Sequence, residues 1–210
     1  ANNSPAFSES DLDEGFEDDI ELTNLTVEYD LDWGTIFSST SWVDEKTNRQ
    51  REIAAFFAPS FLPWSQLGGF SRDLFAEEIR LVSELQGPIQ FIVGFYYEEM
   101  KSKQIAQDVF GGDPALNTFA PGGVVFFDLI RDRVVEQKAV FGEFSYDISE
   151  QLKLTVGGRA FSYDREVSEE QFPALSSPAS FSELKSDESD ISLKAGLEYK
   201  SNDSSLLYAT

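Results

Sequence analysis

The sequence predicts an all-β protein: an antiparallel transmembrane β-barrel segment of about eight long strands. Three observations carry this. Apolar and polar residues alternate with a period of two over long stretches, as they do when a strand shows one face to an apolar phase and the other to a polar one. Short and long connections alternate strictly along the chain, the way outer-membrane barrels separate tight turns at one end from long loops at the other. Aromatics make up 14% of the 210 residues, and many fall near predicted strand ends, where interfacial girdles lie.

The strands follow in order. In 22–31, Leu25, Val27, Tyr29 and Leu31 alternate with Thr26, Glu28 and Asp30. A tight link at 32–34 leads to 35–46, rich in Thr, Ser, Ile, Phe and Trp. In 73–84, Ile79 and Leu81 alternate with Glu78, Arg80 and Val82, and the Gly87-Pro88 break sends the chain into 89–101 with Phe91, Val93, Phe95 and Tyr97 on one face. In 137–148, Val140, Gly142, Phe144 and Tyr146 share a face. After a link at 149–151, strand 152–165 follows, with Leu152, Leu154 and Val156 on one face and Lys153, Thr155 and Arg159 on the other. The cleanest alternation is 189–200, from Ile191 to Tyr199, and after a turn at 201–204 a last strand runs over 205–210. The long loops are then 47–72, 102–136 and 166–188. Most of these strands exceed the ~5–6 residues of a soluble strand and match the ~9–11 that a tilted strand needs to cross a bilayer.

Composition removes whole classes of chemistry. The formal net charge is −22, which repels phosphate backbones and argues against nucleic acid as a partner. Cys and His are absent, so disulfides, thiolate zinc sites, cysteine nucleophiles and histidine-based triads are excluded. No apolar stretch approaches the ~20 residues of a transmembrane helix. Glycine pairs such as Gly111-Gly112 and Gly122-Gly123 do not form a phosphate-binding motif, while Gly157-Gly158 within a strand marks a bend or a close approach.

The segments also resemble a family. Phe75 to Glu84 followed by Gly87 to Tyr97, then Ala139 to Ile148 followed by Leu152 to Arg159, then Ile191 to Tyr199 followed by Leu206 to Thr210, are similar in order and pattern to barrel hairpins of TonB-dependent outer-membrane receptors. The resemblance covers about residues 20–210. It implies a middle portion of a receptor barrel in the bacterial outer membrane, without the plug domain. It further implies active uptake of a scarce nutrient, most often a ferric siderophore, with outer-membrane lipid around the barrel and an energy-coupling TonB protein as partner through a plug. It implies a transporter rather than an enzyme. Two other readings fit the alternation alone: a passive small outer-membrane barrel or porin, which needs every strand present and closed, and a soluble all-β binding module, which needs a second sheet to cover the apolar faces.

The candidate functional residues follow from these placements. Residues 1–21 are expected to form an acidic external loop, and 22–210 the partial barrel. Seven carboxylates lie between Glu9 and Asp19. They fail the EF-hand template, because Phe16 and Leu22 stand where Gly and Glu belong; a loose loop Ca²⁺ site is the one metal the sequence leaves open, and no other cofactor is expected. Glu78, Arg80, Glu143 and Arg159 are expected as lumen charges, with Glu143 and Arg159 pairing across strands. Phe61, Trp64 and Phe119, in the predicted long loops, are the candidate ligand contacts.

Overall fold

The structure, a computed structural model, describes residues 14–52, 64–110, 124–175, 178–202 and 205–210. Eight strands form one sheet in sequence order: β1 (Gly15–Leu31), β2 (Gly34–Glu52), β3 (Trp64–Ser83), β4 (Ile89–Phe110), β5 (Val124–Asp147), β6 (Leu152–Gln171), β7 (Ser180–Asn202) and β8 (Ser205–Ala209). Every neighbouring pair is antiparallel. β1 and β8 are the two open edges. No helix among the described residues is long and apolar enough to cross a membrane.

The eight predicted strands are all present, but most are longer than expected. β4 has 22 residues and β5 has 24. Much of the predicted loops 47–72, 102–136 and 166–188 is therefore ladder. β1 begins at Gly15 rather than at 22, so the end of the expected acidic loop is strand. The physical reason is the same throughout. Beyond the membrane both faces of a strand are wet, so alternation fades, while the backbone hydrogen bonds that define the strand continue. Short and long connections still alternate: 32–33, 84–88, 148–151 and 203–204 are tight, and 53–63, 111–123 and 172–179 are longer.

The tight turns are tied to one another. Glu84 N–H donates to Trp33 O at 2.7 Å, Asp147 N–H to Pro88 O at 2.8 Å, and Lys200 N–H to Gln151 O at 2.7 Å. The Gln90 amide closes the 84–88 turn: its Oε1 accepts from Leu85 N–H at 3.1 Å, and its Nε2 donates to Leu85 O at 2.7 Å. Gly87 takes φ 130° there, a conformation that side chains disfavour.

The register sorts side chains onto two faces. One carries Leu25, Ile36, Ile79, Phe95, Val140 and Leu193, all exposed, from Ile36 at 37% to Leu193 at 80%. This is the outer face. On β4 its apolar run extends from Ile89 to Tyr97. At ~3.4 Å per residue that is roughly 27 Å along the strand, and tilted by ~40° it covers ~20 Å, close to the ~25 Å band of an outer-membrane barrel. The other, inner face holds the buried apolar side chains among the described residues: Leu129, Val135 and Ala139, at 7%, 4% and 3% exposure.

Candidate functional site

The outer face is organised by height. Trp42, Phe75 and Tyr97 form a chain of rings at the loop-side edge of the apolar band, with centroids 5.8 and 6.1 Å apart. Tyr29, Tyr146 and Tyr199 lie on the same face near the turn side. These are two aromatic girdles. Tyr96, Phe161 and Tyr163 point to the inner face instead. Just beyond the loop-side girdle stand charged pairs: Lys138 Nζ sits 5.9 Å over the Tyr97 ring and 2.6 Å from Glu136, and Lys101 lies 2.6 Å from Glu99. Hydrogen bonds to Glu99 hold the Lys101 ammonium above the ordinary lysine range, and Glu166 with Glu183 does the same for Lys185. One carboxylate breaks the pattern. Glu77 lies on the outer face inside the band, where hydroxyls from β2 satisfy it: Ser38 Oγ at 2.7 Å and Thr40 Oγ1.

The inner face collects the predicted lumen charges. Glu78, Arg80, Glu143 and Arg159 all lie on it, around one hollow of about 420 Å³ that Phe141 and Lys194 also line. Arg80 is held by Glu78 on its own strand at 3.5 Å and by the Phe37 ring, whose centroid is 4.4 Å away. The expected Glu143–Arg159 pair does not form. Their positions are diagonal, since Glu143 faces Gly157 and Arg159 faces Phe141. Glu143 pairs instead with Lys194, two strands away, and the Arg159 guanidinium lies 5.8 Å over the Tyr96 ring.

Two glycines make this layout fit. A Cβ at Gly157 would lie 2.9 Å from the Gly142 carbonyl oxygen, and 3.2 and 3.4 Å from carbons of Lys194, which crosses that glycine to reach Glu143. A Cβ at Gly94 would lie 2.8 and 2.9 Å from the two Cε carbons of Phe141, whose ring rests on the bare backbone. Lys194, Phe141 and Phe37 were not singled out from sequence; the available signal was their parity in the alternation, which needs the register to become a contact.

The ligand candidates fare differently. Trp64 is the first residue of β3 rather than part of a loop, and its backbone pairs with Phe110. Phe61 and Phe119 lie outside the described residues. Among the described residues no cluster of three or more carboxylates has metal-holding geometry, and the acidic segment 1–13 lies outside them.

An apolar outer band between two aromatic girdles, with a charged inner face, defines the wall of an outer-membrane-type β-barrel. The whole chain, residues 1–210, matches the family described as "TonB dependent receptor-like, beta-barrel". The chain belongs to that family. Solved structures similar in fold include the ferric yersiniabactin uptake receptor FyuA from Yersinia pestis, at TM-score 0.73 and 13% identity over 97% of this chain and 29% of that one. The siderophore receptor PiuA from Acinetobacter baumannii matches at TM-score 0.64 and 16% identity, over 93% of this chain and 32% of that one. The ferric citrate transporter FecA matches at TM-score 0.60 and 14% identity, over 93% and 27%. The chain thus spans about a third or less of these receptors' lengths. A sequence search of curated proteins finds no match.

Proposed function

We propose that this chain is part of the barrel wall of an outer-membrane receptor that actively imports a scarce nutrient, in the first instance a ferric siderophore-type complex. The observation that carries this is the family match over all 210 residues, joined to an inner face whose charges converge on one hollow. In this reading the outer face meets lipid. The external loops and a plug capture the ligand, and a TonB-type protein supplies energy through the plug, which these residues do not include. The inner face offers charge and aromatic surface for binding rather than a catalytic constellation, so no enzymatic step is assigned. A passive porin fits less well, because the family matched over all 210 residues is that of receptor barrels.

The test is radioiron uptake by iron-starved cells carrying the complete receptor or a deletion of it. Uptake of the preferred ferric complex should depend on the receptor and stop when a protonophore collapses the inner-membrane potential. Receptor-dependent entry that survives the protonophore would establish a passive pore and overturn the proposal.

A further inference from the structure

Glu77 is the one charged side chain that the described residues place on the outer face between the two girdles. It stands one outer-face position below Phe75 on β3, ~7 Å along the strand, and directly opposite Tyr97 of the loop-side girdle. Its height is therefore the lower edge of that girdle, where aromatic rings meet lipid headgroups. Ionisable side chains inside a membrane are costly and are normally paired.

Glu77 has hydrogen bonds but no pairing charge. Ser38 Oγ donates to its Oε1 at 2.7 Å, and Thr40 Oγ1 donates to its Oε2. Two hydroxyls take one acceptor position on each oxygen and leave the others open. They do not neutralise the carboxylate. The lysines nearby on the same face are engaged elsewhere. Lys138 lies two strands away across Tyr97, 2.6 Å from Glu136, and Lys101 lies 2.6 Å from Glu99. Glu77 itself makes no ion pair among the described residues. Further strands do not alter this. Both neighbours of β3 are in place, and strands that close the wall continue from β1 and β8, beside this face and not over it.

The compensating cation must then come from the lipid side. A primary ammonium fits what Glu77 offers. It carries a full positive charge, and its N–H groups match the open acceptor positions of both oxygens. The rings of Phe75 on the same strand and Tyr97 across the ladder frame the carboxylate on two sides, and ring faces attract cations. A trimethylammonium has the same charge and no N–H to donate. An anionic headgroup would be repelled.

We propose that Glu77, cradled by Ser38 and Thr40, is a lipid-binding site on the outside of the wall, and that its occupant is a membrane lipid whose headgroup ends in a primary ammonium. The two hydroxyls fix the carboxylate, and the headgroup dips below the girdle to meet it. The site lies on the opposite face of the wall from the lumen, so it is independent of what the receptor imports.

The test gives the complete receptor in detergent equal amounts of phosphatidylethanolamine and phosphatidylcholine with matched acyl chains, and counts lipid-bound species by native mass spectrometry. The two lipids have the same net charge and differ in the N–H donors of the ammonium. Bound phosphatidylethanolamine should exceed phosphatidylcholine about fivefold, the scale of one partly exposed ion pair. E77Q keeps the amide in place of the carboxylate and loses the charge, and should bring the ratio close to one. E99Q, at a carboxylate already paired with Lys101, should leave the ratio unchanged. Retained resistance to SDS unfolding shows that the variants fold. In phosphatidylethanolamine vesicles, dicyclohexylcarbodiimide should couple the headgroup amine to Glu77, read as a lipid-bearing peptide. A ratio that E77Q does not change overturns the proposal, as does the absence of lipid coupled at Glu77. Coupling of Glu77 to a lysine of a second receptor copy or of another protein also overturns it, and makes this face a protein contact.

Discussion

At the scale of single residues, the inner face works because two glycines stay bare. Lys194 reaches Glu143 only by lying across Gly157, and the Phe141 ring has room only because Gly94 lacks a side chain. The consequences differ in size. Lys194→Met removes a half-exposed ion pair, with side-chain exposures of 63% and 34%, and should cost no more than ~0.2–1 kcal/mol. Gly157→Val should cost more than Lys194→Met, because its Cβ also lies 2.9 Å from the Gly142 carbonyl oxygen, which cannot move aside as a lysine side chain can. Gly94→Ala drives a methyl into the Phe141 ring and should cost ~1–3 kcal/mol, as overpacking does. Adding Phe141→Ala to Gly94→Ala should recover part of that loss. Urea unfolding from lipid vesicles measures all four; no recovery on adding Phe141→Ala to Gly94→Ala would refute the Phe141–Gly94 contact. From sequence, Gly157-Gly158 already reads as a bend or a close approach. What approaches it does not, because Lys194 is far along the chain and only the β6–β7 register brings it over that glycine.

At the scale of elements, each strand has two regimes. In the membrane half, one face is apolar and the other polar, and this is the half the alternation reveals. All eight strands and the face of every predicted lumen charge were legible there. In the loop-side half, Lys101 and Lys103 on the outer face stand among Gln104, Asp108 and Ser102 on the inner one. No period survives, so β4 reads as ending near residue 101 although its ladder runs to Phe110. Arg133 on β5 was hidden for the same reason, within a stretch that reads as loop. The two-regime picture makes a sharp prediction on β7. Leu193 and Ser192 are adjacent but face opposite ways, Leu193 being 80% exposed on the outer face. Leu193→Arg should destabilise the vesicle-inserted receptor by ~2–4 kcal/mol if it lies near the bilayer midplane, whereas Ser192→Arg in the polar lumen should change stability little. Similar losses for the two would mean that the outer face is not lipid-facing.

At the scale of the whole molecule, the dominant fact is two unpaired edges. β1 presents 17 residues of strand, every one of them paired on its β2 side, and β8 pairs with β7 over only a few residues. An edge of that length carries backbone donors and acceptors with no partner, which a bilayer does not tolerate: lipid supplies no hydrogen bonds, so only closed barrels span it with strands. The apolar outer band gives the sheet a reason to enter the membrane, and the edges give it a reason not to. The conflict resolves only when further strands close the wall. Residues 1–210 expressed alone should therefore fail to give the heat-dependent shift in gel mobility that closed barrels show in SDS, and should associate through their edges into large species on size exclusion. The same residues within a complete receptor should shift as one unit. A monodisperse, SDS-resistant species from residues 1–210 alone would mean that the segment closes by itself, through a β1–β8 pairing absent from this structure. That result would overturn the argument that these eight strands need further ones to close the wall.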